Sequence, residues 1–104
     1  MDRIEQLKAL LVESPKDSFL RHAMAMEHQK NGADNEAIEL FRALLKDDPD
    51  YVGSYYQLGK LLEKNEQDEA AIKCYEKGME RAKAAGESRA YNELRSALEE
   101  LTFD

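Results

Sequence analysis

An internal repeat runs through this sequence with a period of about 34 residues, a length typical of helical repeat units. Residues 37–41 match residues 71–75 at this spacing, with Ala, Ile and an aromatic side chain at equivalent places. The same period leads back to residues 3–7, and it separates Pro15 from Pro49. A fixed period of this kind indicates that one supersecondary unit recurs and that neighbouring units bury a common core. The sequence therefore predicts a repeat architecture.

Within the repeats, apolar residues recur at intervals of three and four, which is the spacing of one helical face. Ile38, Phe41 and Leu45 show this pattern. Short loops rich in Asp, Asn, Gly and Pro separate the apolar stripes, and their length favours antiparallel neighbouring helices. The chain is therefore expected to be all-α. Six helices are predicted near residues 2–13, 18–31, 35–47, 51–64, 69–84 and 88–101.

Three loop residues carry signals for helix ends. Asp34 and Asp68 lie one repeat period apart, each just before an apolar stripe. An Asp in that place can cap a helix by accepting a backbone N–H, so both are predicted to be N-caps. Gly32 follows the second stripe and is expected to adopt the left-handed conformation that ends many helices.

Composition and charge exclude several classes of partner. The chain is 42% hydrophobic and 36% charged, with a net charge of −7, so a nucleic-acid partner is not expected, because a phosphate binder needs a cationic surface. The longest apolar run is far shorter than the roughly 20 residues that span a bilayer, and the first residues lack the apolar stretch of a signal peptide. Cys74 is the single cysteine. These features predict a cytoplasmic protein without membrane or cofactor.

Two segments carry a recognisable motif. In residues 55–62 an aromatic residue is followed by a Leu-Gly pair and then by Leu62, and further along Ala71 and Tyr75 stand four residues apart. This pattern resembles the tetratricopeptide repeat, in which the first part lies on one helix and the second part on the next. The resemblance implies a short right-handed α-solenoid of antiparallel helix pairs.

The resemblance covers nearly the whole chain and implies one domain, residues 1–104. Two full repeats are expected at 18–51 and 52–85, preceded by a half repeat at 2–15 and followed by a closing helix at 88–101.

Small residues on facing helices predict close packing within each repeat. Gly59 and Ala25 carry little or no side chain, so the paired helices can approach closely there. Phe41 and Tyr75 are then expected to fill the gaps between neighbouring pairs.

In this family the first helices of the repeats line a concave groove, which implies a partner-binding surface. Tyr56 and Lys60 are expected to be exposed in it. For Phe19 and Met26, exposure in the groove and packing in the core are equally expected. Aromatic and Met side chains beside Lys, Arg and Asn are typical of a peptide-binding surface. The predicted groove consists of Phe19, His22, Met26, Gln29, Tyr56, Lys60, Glu63, Arg89, Asn92 and Ser96.

No catalytic or metal site is predicted. His22 and His28 are six residues apart, which does not place them on one helical face as a ligand pair, and Cys74 has no activating base that the sequence identifies. Some family members clamp a C-terminal carboxylate with Lys and Asn one turn apart, but His22 and Met26 occupy the matching positions here. An enzyme is therefore not expected.

Two functions remain open. The first is an adaptor or scaffold whose groove binds a peptide or helix of a partner protein, with Lys60, Arg89 and Asn92 attracting an acidic or C-terminal segment. The alternative is a structural module that forms homo-oligomers through its terminal helices. Arg3, Gln6 and Lys8 give the first helix polar cover, which weighs against this alternative.

Overall fold

The computed structural model describes residues 2–103, which form six helices. All six predicted helices are confirmed, and their ends lie within two residues of the predicted ones. No strand occurs within the described residues, so the fold is an all-α helical repeat. The helices are α1 (Arg3–Glu13), α2 (Ser18–Lys30), α3 (Asp34–Asp47), α4 (Gly53–Lys64), α5 (Asp68–Ala85) and α6 (Ser88–Thr102).

The first two helices begin with an aspartate cap. The carboxylate of Asp2 accepts a hydrogen bond from the backbone N–H of Glu5 at 2.8 Å, and that of Asp17 accepts one from Leu20 at 3.0 Å. Each bond satisfies a donor that the first turn of a helix otherwise leaves without a partner.

The cap predictions for Asp34 and Asp68 are wrong. Both are the first helical residues of α3 and α5, and the N-cap positions are Ala33 and Gln67, which make no side-chain cap bond. The loops after α2 and α4 are short. As a result, α3 and α5 begin at the aspartate itself, one residue earlier than they would if the aspartate were the N-cap. The two carboxylates still lie in the first turn, where they interact favourably with the helix dipole.

The loops before α3 and α5 share one backbone conformation. Gly32 has a φ of 80°, and Glu66, at the matching place of the next repeat, has a φ of 61°. In both loops the next residue donates its N–H to the carbonyl five residues before it, at 2.8 Å. This bond belongs to a left-handed helix ending, which confirms the prediction for Gly32.

The described residues form two compact units, one up to Asp48 and the other from Pro49. In the first unit α2 packs against both α1 and α3. In the second unit α5 packs against α4 and α6, and α4 also contacts α6. The core of the first unit consists of Leu7, Met24, Ala25, Ala37, Ile38, Phe41 and Leu44. That of the second consists of Val52, Tyr55, Leu58, Leu61, Leu62, Ala71, Tyr75, Ala82, Leu94 and Ala97.

Two glycines allow the helices of the second unit to approach closely. A Cβ atom at Gly59 would lie 2.7 Å from Cδ1 of Tyr75, and one at Gly78 would lie 2.6 Å from Cβ of Tyr55. Neither distance is compatible with a real side chain. The close helix contact predicted for Gly59 is thus confirmed, and it brings α4 near enough to α5 for Tyr75 to cover it.

Candidate partner-binding cleft

The second unit contains an open cleft of about 840 Å³. Its walls come from α4 and α6, the two helices that flank α5 and contact each other directly. The α4 wall consists of Tyr56 and Lys60, which stand one turn apart. The residues on α6 are Arg89, Asn92, Glu93, Ser96, Ala97 and Glu100.

Helical spacing explains which side chains reach the cleft. Adjacent residues of a helix point about 100° apart, so Tyr55 and Tyr56 have different surroundings. Tyr55 is 4% exposed, and its hydroxyl donates to the carbonyl of Pro49 at 2.6 Å. Tyr56 is half-buried at the cleft wall. The sequence therefore presents one tyrosine to the core and the other to solvent.

A chain of polar contacts joins the cleft to the core of the second unit. The buried hydroxyl of Tyr75 donates to Oε2 of Glu63, and the same oxygen lies 3.7 Å from Nζ of Lys60. Burial and the neighbouring Glu63 carboxylate raise the pKa of Tyr75 far above its usual 10. Tyr75 therefore stays a neutral donor that holds Glu63 in place beside Lys60.

The charges of the cleft are balanced. Arg89 is 95% exposed, and its Nε lies 3.3 Å from Oε1 of Glu93, one turn further along α6. Within residues 2–103, Glu100 forms no ion pair or hydrogen bond. The lining thus carries two cations, Lys60 and Arg89, and two carboxylates, and each cation already has a carboxylate beside it.

The structure brings together half of the predicted groove residues. Glu63 borders the cleft through its contact with Lys60 and does not line it. The predicted residues that do line the cleft are Tyr56, Lys60, Arg89, Asn92 and Ser96.

The remaining four predicted residues lie on α2 in the first unit. Phe19 is 65% exposed, whereas Met26 and Gln29 are half-buried. His22 packs edge-on against Phe41, with ring centroids 5.5 Å apart. Burial lowers the pKa of His22, so the ring in this contact favours its neutral form.

Three cleft residues were absent from the predicted groove: Glu93, Ala97 and Glu100. Helical spacing could have identified them, because they lie four, eight and eleven residues after Arg89, on the same side of α6. Ala97 is also only 5% exposed, so it forms the floor of the cleft at the edge of the core.

Other candidate sites are sparse in the described part of the chain. The thiol of Cys74 is half-buried and donates to the carbonyl of Tyr55 at 3.3 Å. Among residues 2–103, no group of three or more His, Cys, Asp or Glu side chains is arranged to hold a metal ion. None of the helices in that range is long and apolar enough to cross a membrane. A smaller depression of about 430 Å³ in the first unit is lined by His28, Asn35, Glu36, Glu39 and Leu40.

This chain is similar to tetratricopeptide-repeat proteins in sequence and in structure. Family descriptions of the tetratricopeptide repeat match residues 17–51 and residues 52–84. The solution structure of a tetratricopeptide repeat domain protein from Salinibacter ruber is 41% identical, with a TM-score of 0.82, covering 85% of this chain and 89% of that one. A crystal structure of such a protein from the same organism is 41% identical, with a TM-score of 0.78, covering 82% and 94%. A Bordetella parapertussis protein is 26% identical, with a TM-score of 0.83, covering 97% and 88%. No curated protein matches the chain in sequence.

Proposed function

The chain belongs to the tetratricopeptide-repeat family, and we propose that it is an adaptor or scaffold that binds a segment of a partner protein in the cleft between α4 and α6. Tetratricopeptide repeats generally mediate protein–protein interaction and are typically not enzymes. The proposal therefore assigns the cleft to recognition and includes no catalysis and no cofactor. We further propose that the chain is one functional domain, with full repeats at 18–51 and 52–85, a half repeat at 2–15 and a closing helix at 88–101.

The observation that carries this proposal is the cleft itself. Its volume of about 840 Å³ falls within the range of roughly 300–1,000 Å³ that is typical of ligand sites. Tyr56 gives it a large, half-buried aromatic side chain with a polar end, and such residues dominate the binding energy of many interfaces. Asn92 and Ser96 add hydrogen-bonding groups at the facing wall.

Residues of α2 form a separate proposed contact surface within the first unit. Phe19 is the best supported of these, because its large apolar ring is 65% exposed. His22, Met26 and Gln29 are half-buried, so they would contribute less area. A single cysteine, Cys74, is compatible with the reducing cytoplasm in which we place the protein.

Selection from a library of displayed peptides tests the proposed function, because it does not require the partner to be known. Peptides selected by the wild-type chain should bind Tyr56→Ala more weakly by about 1–3 kcal/mol, which is the range for a hot-spot residue. The Lys60→Glu variant should change the charge preference of the selected peptides, because it reverses one charge of the cleft lining. Lys77→Glu, with the same charge change on an exposed position of α5, serves as the control.

Two results would count against the cleft. If Tyr56→Ala unfolds the chain, as judged by its melting temperature, Tyr56 belongs to the core. If both cleft variants stay folded and bind selected peptides as well as Lys77→Glu does, the binding surface lies elsewhere.

Self-association is a second candidate function, which two exposed apolar side chains of α1 favour. Leu10 on α1 is 49% exposed, whereas Leu44, which occupies the matching position one repeat later on α3, is fully buried. Val12, also on α1, is 78% exposed. Analytical ultracentrifugation over a wide concentration range tests this candidate. A dimer that dissociates on dilution and is weakened by Leu10→Gln would support it, and a monomer at every concentration would exclude it.

A further inference from the structure

We infer that the cleft between α4 and α6 selects a basic segment: an extended stretch of peptide whose two cationic side chains, three residues apart, pair with Glu93 and Glu100. This inference rests on the proposed function, because it names the chemistry of the partner that the same cleft would take. It differs from the sequence-based hypothesis of an acidic or C-terminal segment.

Glu93 and Glu100 can both accept from a cationic ligand, because a carboxylate that lies beside one cation can still accept further hydrogen bonds. Lys60 lies beside Glu63, which the buried hydroxyl of Tyr75 holds in place, and Arg89 lies beside Glu93. By contrast, Glu100 has no ion-pair partner among residues 2–103.

The charge of the whole chain acts in the same direction. Its net charge is −7, so an approaching anionic peptide meets long-range repulsion that the balanced cleft does not offset. A cationic peptide is attracted at long range, and in the cleft it can pair with the exposed carboxylate of Glu100. Electrostatic complementarity of this kind sets which partners associate and how fast.

The spacing of the two carboxylates defines the segment. Glu93 and Glu100 are seven residues apart on α6, which is two helical turns or roughly 10 Å along the axis. An extended segment in the polyproline conformation places every third side chain on the same side, at intervals of roughly 9 Å. Two Lys or Arg side chains separated by two other residues would therefore reach both carboxylates together.

The remaining lining fits such a segment. Ser96 and Ala97 lie between the two glutamates and are small, which leaves room for the backbone of the ligand. Tyr56 stands on the facing wall and is half-buried, where its ring can contact the side chain of a cation. Asn92 can exchange hydrogen bonds with the peptide backbone.

Fluorescence anisotropy with defined peptides tests the inference. The probe is a labelled nine-residue peptide of Pro and Ala with two Arg residues three positions apart. Matched peptides carry Gln or Glu in place of Arg, or two adjacent Arg residues. The spaced basic peptide should bind about tenfold more tightly than the Gln peptide, and its affinity should fall as the salt concentration rises from about 0.05 M to about 0.5 M.

Glutamate variants identify the binding groups. Glu93→Gln and Glu100→Gln should each weaken binding of the spaced basic peptide by about two- to fivefold, as expected for an exposed charge pair. Glu76→Gln is the matched control, since Glu76 is exposed on α5 and does not line the cleft. It should leave the affinity unchanged.

The possible outcomes separate this inference from the proposed function. Tighter binding of the Glu peptide, lost in Tyr56→Ala, would overturn the inference and leave the cleft as the binding site. Binding of the basic peptide that is equally strong in all three Glu→Gln variants would show attraction to the overall charge only, and would also overturn it. If none of these peptides binds in a way that depends on Tyr56, the inference fails. The proposed function fails only if the peptides selected from the library also bind independently of Tyr56.

Discussion

The helix pairs α2–α3 and α4–α5 occupy the same register one repeat period apart, yet their interiors differ. In the first pair Ala25 and Phe41 face the core, and both are fully buried. In the second pair the matching residues are Gly59 and Tyr75, and the tyrosine ring covers the glycine so closely that a methyl group would not fit. The same helical register thus holds an alanine and a phenylalanine in one pair, and a glycine and a tyrosine in the other.

The polar groups of the two pairs differ as well. Gln29 matches Glu63 in register, but its Oε1 atom is buried without a hydrogen-bond partner in the described part of the protein. Phe41 has no hydroxyl to offer, whereas Tyr75 donates to Glu63. Only the second pair therefore carries a polar link from its core to a surface cleft. The repeat pattern sets the positions of the helices, whereas single side chains determine which polar contacts each pair forms.

The largest expected effect comes from adding one methyl group at the closest contact. Gly59→Ala should lower the free energy of unfolding by about 1–3 kcal/mol, because the buried ring of Tyr75 cannot move aside without overpacking its neighbours. Urea denaturation followed by circular dichroism measures this change.

The reverse substitution in the first pair is the matched control. Ala25→Gly should cost only about 1 kcal/mol, mostly through helix propensity. A neutral Gly59→Ala would show that a methyl group fits between α4 and α5, and would contradict the close contact at Gly59.

A smaller effect is expected from removing the hydroxyl that links core and cleft. Tyr75→Phe should destabilise the chain by about 1.5 kcal/mol, which is typical of a lost hydrogen bond to a charged group. Tyr91→Phe should change stability by less than about 0.5 kcal/mol, since the Tyr91 hydroxyl has no hydrogen-bond partner within residues 2–103. Equal effects of the two substitutions would mean that the bond to Glu63 contributes nothing measurable.

One substitution in the loop between α4 and α5 is expected to stabilise the chain. Glu66 has the positive φ of 61° that Gly32 adopts at the matching place, and a side chain in this conformation costs energy that glycine avoids. Glu66→Gly should raise the free energy of unfolding by about 0.5 kcal/mol after the greater freedom of glycine in the unfolded chain is subtracted. Gly32→Glu should lower it, and a decrease for both variants would contradict the strain at Glu66.

The two pairs should also respond to opposite extremes of pH. Burial lowers the pKa of His22 below its usual 6.5, so the stability linked to its neutral form is present above pH 6.5 and is lost as the pH falls. Burial and Glu63 raise the pKa of Tyr75 above its usual 10, so its contribution is present below pH 10 and is lost as the pH rises.

Unfolding midpoints across the pH range measure both effects. His22→Gln should flatten the acid side of the profile, whereas His28→Gln, at the other histidine, serves as the control. Tyr75→Phe should remove up to about 1.4 kcal/mol per pH unit from the slope above pH 10, which corresponds to one proton. An alkaline slope that Tyr75→Phe does not change would show that another group is responsible.

Part of the fold and part of the cleft could be predicted from the sequence. The intervals of three and four between apolar residues located all six helices, and the Leu-Gly pair placed Gly59 at a close contact. Spacing along α6 also placed Arg89, Asn92 and Ser96 on one side, where they line the cleft. Each of these predictions depends on local geometry, which a single helix imposes wherever it lies.

The errors and omissions arose where one element meets another. Asp34 and Asp68 resembled caps, but the loop hydrogen bonds of the preceding helices moved the helix starts to these residues. Helical spacing places Glu100 on the same side of α6 as Arg89, but only the packing of α4 against α6 makes that side the wall of a cleft.

The repeat, the number of helices and the family follow from the amino-acid sequence alone, because hydrophobic periodicity and small residues at fixed spacing act within a few turns of one helix. Which charged side chains are left for a partner depends instead on how the helices pack. Glu63 follows Lys60 by three residues, but its role depends on Tyr75, twelve residues further along the chain and on another helix. The hydroxyl, the carboxylate and the ammonium group come together because α4 and α5 pack closely at Gly59, and no local pattern specifies the distances between them.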